Sequence, residues 1–474
     1  MIASALMRTS PLRPHPALRR CTFVVLALAL GGSVGTAVAN DLMRVYEQAR
    51  AQDMRFQAAR YARDAEIEVR PQARAALLPQ VNGSYGYQDQ HEDGTEGFGG
   101  LPESPVDRDS EQRALTVTLD QTVFDWAAFK RFDQAGDQVA LAQARFRAAE
   151  QDLLLRITET YFGVLSADDN LRFARAEKSS LERQLDQAQR RFDVGLSAIT
   201  DVQEAQARYD LTTAQEIVFE QQLASAREAL REITGSTSEA FATAALQTEI
   251  PLRSPEPLAV DAWLAAARNG NLDLVVATLQ AQIADKGVSV ARAGHYPTVG
   301  AQAQYQDAEA DGGRFTGETE SETLGVQVRL PIFSGLATQS RVDEAQARRE
   351  QVKAQREGTQ RAVERSTRDA WLGVQSGAAR VKALRQAVVS STTALEASET
   401  GLEVGTRTAV DVLDAQSALY SAQRDYARTR YDYLLSVLRL KAAAGTLGAE
   451  DLTQIDGLLV GSGSPAHGAA PENR

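Results

Sequence analysis

Two periodicities alternate along this chain. In four segments apolar and polar side chains exchange at every residue, the mark of a strand with two unlike faces. Val81, Gly83, Tyr85 and Tyr87 share one side, and Asn82, Ser84 and Gln88 the other. Leu115, Val117 and Leu119 oppose Thr116, Thr118 and Asp120. Val299, Ala301, Ala303 and Tyr305 oppose Gln302, Gln304 and Gln306, and Leu324, Val326, Val328 and Leu330 oppose Gln327 and Arg329. Each strand is expected to run about 9–11 residues, enough to cross a bilayer when tilted. One apolar and one polar face suit lipid outside and water inside; a soluble sandwich would show the same alternation.

The second periodicity is the heptad. Val412, Ala415, Leu419, Ala422, Tyr426, Thr429, Tyr433, Ser436, Leu440 and Ala443 keep a 3-4 spacing over five heptads. Val202, Ala205, Tyr209, Thr212, Glu216, Phe219, Leu223, Ala226, Leu230 and Ile233 do the same, broken once at Glu216. Residues from about 125 to 193 and from about 335 to 403 contain no proline. As helices each would span roughly 100 Å at 1.5 Å per residue, a length seen in coiled coils.

These elements occur twice. Val194-Gly195-Leu196 is answered by Val404-Gly405-Thr406, Asp201-Val202 by Asp411-Val412, and Gly235 by Gly445, each 210 residues later. The expected plan is a first repeat over 40–235, a proline-bearing linker over 236–257, a second repeat over 258–445, and a C-terminal segment and disordered tail over 446–474. Each repeat reads helix, helix, strand, strand, very long helix, turn, long helix. Between the paired strands lie two stretches rich in acids, Asp89 to Gln112 and Asp307 to Glu322, expected as long loops at one rim of a barrel. Trp126, Phe129 and Phe132 suit an aromatic girdle at the opposite rim. Four strands cannot close a barrel, so the chain must oligomerise; two copies would supply eight strands and three would supply twelve.

Composition adds compartment. Arg8, Arg13, Arg19 and Arg20 precede an apolar run from Thr22 to Leu30, and Ala37-Val38-Ala39 fits a cleavage site, so 1–39 reads as a secretory signal peptide. Its removal takes away four arginines and no acids and moves the net charge from −12 to −16. That acidity argues against nucleic acid as a partner. The single cysteine, Cys21, lies inside the signal, so the mature chain is expected to have neither disulfide nor thiol nucleophile. No later stretch is long and apolar enough for a transmembrane helix. His91, His295 and His467 lack metal-ligand spacing and no catalytic constellation stands out, so neither enzyme activity, cofactor nor metal is expected.

At the opening Asp41-Leu-Met-Arg-Val-Tyr-Glu-Gln-Ala, the turn Leu330-Pro331-Ile332-Phe333-Ser334-Gly335, and Val404-Gly405-Thr406-Arg407-Thr408 leading into Val410-Asp411-Val412-Leu413-Asp414-Ala415, the chain resembles the TolC family of outer-membrane channels. The resemblance covers nearly the whole mature chain. It implies an α+β membrane protein, a homotrimer whose protomers each give four transmembrane β-strands to a 12-stranded barrel, continued by a long α-helical coiled-coil tunnel through the periplasm. It implies efflux or type I protein secretion, with a periplasmic adaptor and an inner-membrane pump as partners. A periplasmic coiled-coil adaptor without a pore is the alternative reading.

The resemblance also assigns residues. Asp411 and Asp414 would ring the tunnel's inner end, where six carboxylates attract cations and repel one another. Taken alone, Thr408 and Asp411 have the spacing of a capping box. Arg407 would bond the neighbouring turn at Thr200 and Asp201 and lock the entrance, and Leu402 stands where the family usually has a tyrosine in that lock. Val194, Gly195, Leu196, Val404, Gly405 and Thr406 would form the groove that meets the adaptor; on local grounds alone, the glycines let the chain reverse after a long helix.

Overall fold

The computed structural model describes residues 41–96, 104–236, 245–312 and 316–460, all within one unit spanning 39–474. The signal segment and the tail from 461 lie outside the described residues. Three short helices come first among the described residues: α1 (Asp41–Gln52), α2 (Met54–Ile67) and α3 (Val69–Ala75). Then come β1 (Gln80–Glu96), β2 (Ser104–Asp125), α4 (Trp126–Asp193) and α5 (Ile199–Thr234). After β3 (Ala245–Leu246) the pattern returns as α6 (Val260–Gly270), α7 (Leu272–Arg292), β4 (Thr298–Gly312), β5 (Gly317–Arg329), α8 (Ala337–Glu403) and α9 (Ala409–Ala443). The described residues end with α10 (Ala449–Asp456) and β6 (Leu459–Val460). The linker segment between the repeats contributes β3, which pairs antiparallel with β6.

The large sheet is antiparallel in the order β1-β2-β4-β5. Its register lines up side chains of one kind. Val81, Leu119, Ala303 and Leu324 stand in one row across all four strands, and Asn82, Thr118, Gln304 and Thr323 in the row beside it. Because side chains alternate faces, one face is apolar and the other polar. Among the described residues nothing covers the apolar face: Leu324 is 85% and Val326 73% exposed. Among the described residues the outer strands β1 and β5 each leave one edge unpaired within the protomer.

The strands are longer than expected. They run 17, 22, 15 and 13 residues, and much of both acidic segments expected as loops is strand. Backbone pairing continues past the lipid-length portion because it needs no apolar side chain. Cross-strand charge contacts also support it there, with His91 Nδ1 2.7 Å from Asp109 Oδ1.

Each long helix starts or stops for a local reason. Asp125 caps α4 by accepting from the amides of Ala127 at 2.8 Å and Ala128 at 3.1 Å. Trp126 and Phe129, partly exposed, sit on the first turn where sheet passes into helix, and Trp126 lies 6.2 Å from Tyr296. The heptad positions of α9 are all buried or half-buried, and α9 buries a second stripe through Tyr431, Leu434 and Leu438. Glu216, the break in the α5 heptad, reaches Lys178 Nζ at 2.9 Å and Arg175 Nε at 3.1 Å on α4, so an ion pair replaces an apolar knob. The main core gathers Leu42 and Val45 of α1, Leu153 to Phe162 of α4, Leu438 of α9 and Leu452 of α10. It clamps the middle of α4 beside the β3–β6 ribbon.

The contact between α4 and α9 is also polar. Tyr431 donates to Asp169 Oδ2 at 2.8 Å, Arg424 to Glu177 Oε2 at 2.8 Å, and Tyr420 to the Ala176 carbonyl at 3.2 Å, while Gln184 pairs with Gln416. Burial, then the Asp169 charge, pushes the Tyr431 hydroxyl far up, so it stays a neutral donor.

Candidate functional site at the hairpin tips

The helices α4 and α5 form one antiparallel hairpin and α8 and α9 another, and their tips are built alike. At the first, the Gly195 amide donates to the Phe192 carbonyl at 2.8 Å and Leu196 to Arg191 at 2.7 Å. At the second, Gly405 donates to Leu402 at 3.2 Å and Thr406 to Gly401 at 2.8 Å. Gly195 and Gly405 both take φ +77°, the left-handed backbone that ends a helix and that a β-carbon strains. The turns push Val194, Leu196 and Val404 outward, each about 70% exposed.

The starts of the return helices differ. Thr408 and Asp411 make a full capping box on α9. Asp411 Oδ2 accepts from the Thr408 amide and hydroxyl, both at 2.8 Å, and Arg407 Nη1 lies 3.9 Å from Asp411 Oδ1. The Thr408 amide, then its hydroxyl, then the Arg407 charge hold the Asp411 carboxyl below its ordinary value. On α5 the cap position is Ala198, which offers no side-chain bond, so Asp201 acts only as an acid in the first turn.

Arg407, Thr408, Asp201 and Leu402 line one cavity of about 460 Å³ between the tips. Among the described residues Arg407 bonds neither Thr200 nor Asp201; its ion pair within the chain is to Asp411. Gly401, which motif reading passed over, is what seats Arg407. A β-carbon there would fall 2.5 Å from Arg407 Cγ. Asp414 carries another partner not foreseen: Arg208 Nη2 on α5, at 2.8 Å. Arg208 is not signalled by a motif, because the contact joins positions 206 apart.

Among the described residues no group of acids and histidines is arranged to hold a metal, and no helix is long and apolar enough to cross a membrane. The second point says nothing of a β-barrel.

A sheet with one bare apolar face and free edges, continued by two helical hairpins with charged tips, is the build of an outer-membrane channel protomer. The outer membrane efflux protein family model matches residues 45–236 and 263–446. The outer membrane protein TolC of Vibrio cholerae is 35% identical over 439 residues, 92% of this chain and 97% of that protein. The alkaline protease secretion protein AprF of Pseudomonas aeruginosa is 31% identical over 435 residues, 91% of this chain and 89% of that one. Among solved structures, CusC superposes with a TM-score of 0.73 at 17% identity, covering 86% of this chain and 92% of that one. The chain belongs to the outer membrane efflux protein family. It is a TolC-family outer-membrane channel, an exit duct for efflux and type I secretion.

Proposed function

We propose that three copies of this chain close a twelve-stranded barrel in the outer membrane, and that their hairpins continue it as a tunnel through the periplasm. The two unpaired edges of a four-stranded sheet with a bare apolar face carry this reading. Edge β5 of one copy would pair with β1 of the next, which removes every edge. The repeats at 40–235 and 258–445 then supply alternate hairpins around the tunnel, joined through 236–257.

At the inner end, Asp411 and Asp414 of three chains form the constriction, and Arg407 reaches Thr200 and Asp201 across hairpins to hold it shut. The shared cavity of Arg407 and Asp201 supports that pairing. The exposed turns at Val194, Gly195, Leu196, Val404, Gly405 and Thr406 dock a periplasmic adaptor, which brings an inner-membrane pump and opens the duct. The chain works as a conduit with no catalytic role, and takes no nucleic acid as partner.

Native mass spectrometry of the full-length protein, extracted from outer membranes in detergent, tests the assembly. Three copies are expected; a monomer or dimer would overturn it.

A further inference from the structure

The repeat offset of 210 residues places Asp201 where Asp411 stands and Glu204 where Asp414 stands. Both return helices therefore begin with a pair of carboxylates on one face. The cation is not repeated. Arg208 on α5 is answered by Ala418 on α9. Arg208 Nη2 donates to Asp414 Oδ1 at 2.8 Å and its Nε to Glu204 Oε1 at 3.3 Å. One planar guanidinium thus holds an acid of its own helix and an acid of the second hairpin. The contact to Glu204 alone would be an ordinary pair one turn apart. The contact to Asp414 differs, because it spends a positive charge on an acid assigned to the constriction.

We propose that Arg208 is a specificity-determining residue of the entrance, offsetting the charge of Asp414 while tethering the first hairpin to the second. This rests on the reading of the hairpin tips as the channel's inner end. In each chain Asp201, Glu204, Asp411 and Asp414 begin the two return helices, Arg208 holds Asp414 and Arg407 lies beside Asp411, while Arg191, Glu399 and Glu403 also line the cavity between the tips. Loss of Arg208 leaves one more uncompensated negative charge per chain and frees α5 from α9. Loss of Arg208 and Asp414 together restores the charge balance but not the tether. Charge and tether can therefore be read apart.

The test is single-channel recording of the full-length protein in planar bilayers under a KCl gradient, with assembly checked by native mass spectrometry. Arg208→Ala should raise the potassium-over-chloride permeability ratio by roughly twofold or more and raise resting conductance. Arg208→Ala/Asp414→Asn should return to wild-type selectivity while resting conductance stays raised. A conducting Arg208→Ala channel with the wild-type reversal potential would overturn the proposal, as would a double variant as cation-selective as the single one. Arg208→Lys keeps the charge but lacks the fork that spans both acids. It should keep wild-type selectivity with raised resting conductance, and wild-type conductance in that variant would contradict the tether even if Arg208→Ala fails to assemble. Absence of any conductance from the wild-type protein would instead count against the channel reading itself.

Discussion

At the residue scale, the second hairpin tip is a set of short-range constraints around Arg407. Gly401 leaves space for its aliphatic stem, and the Gly401 carbonyl accepts the amides of Thr406 and Arg407 at 2.8 and 3.1 Å. A methyl at 401 would displace that stem. Gly401→Ala should therefore raise resting conductance, as loss of the guanidinium in Arg407→Ser also should, with assembly unchanged; bilayer conductance at the wild-type level in Gly401→Ala would show that Arg407 does not hold the entrance. Thr408 acts on Asp411 in the same local way. Its amide and hydroxyl hold that carboxyl below the ordinary value of 3.8. A carboxylate with a depressed folded value contributes its stabilisation above the unfolded value and loses it as pH falls through the folded one. In Thr408→Ala the hydroxyl is gone, so Asp411 should take up its proton at a higher pH than in the wild type. Block of the channel by multivalent cations, followed while the pH is lowered, should weaken earlier in Thr408→Ala; superimposable titrations would place the blocking site elsewhere.

At the element scale, the strand faces make opposite demands on substitution. Val326 lies on the bare apolar face and Gln304 on the polar one, in neighbouring strands of the same register. An arginine on the lipid side costs about 2–4 kcal/mol at the midplane, whereas the water side tolerates it. Val326→Arg should cut the amount of assembled protein in the outer membrane, and Gln304→Arg should not; equal yields of the two would contradict the assignment of faces. These faces were legible in the sequence because alternation and heptads are local patterns. The strand ends were not, because beyond the lipid-length portion pairing runs on backbone bonds between acidic residues such as Asp89 and Glu111. The Glu216 break was visible, but its cause was not, since Lys178 and Arg175 become neighbours only when α4 folds back on α5. The same holds for Arg208 and Asp414. The motif residues at the tips were named from the sequence, while their partners Gly401, Glu204 and Arg208 required the fold.

At the scale of the whole molecule, the repeated design lets one chain supply two hairpins with unequal tips. One carries the capping box and Arg407; the other has Ala198 at the cap and supplies Arg208. Both tips present glycines at φ +77°, where a side chain costs roughly 1–2 kcal/mol each. Gly195→Trp/Gly405→Trp should abolish transport with assembly intact, because bulk at the turns would block the proposed docking. Gly195→Ala/Gly405→Ala carries the backbone strain without the bulk and should lower thermal stability while transport persists; normal efflux in the tryptophan pair would remove the tips from the docking surface. A conducting duct whose inner end is governed by the acids of α9 has a direct electrical signature. Single-channel recording of the purified wild-type protein and of Asp411→Asn/Asp414→Asn, in planar bilayers with a salt gradient, measures this directly. Discrete cation-selective steps are predicted for the wild type, with lower selectivity and weaker multivalent-cation block in the double variant. Bilayers left impermeable by the wild-type protein, or steps whose selectivity and block are the same in both proteins, would contradict it.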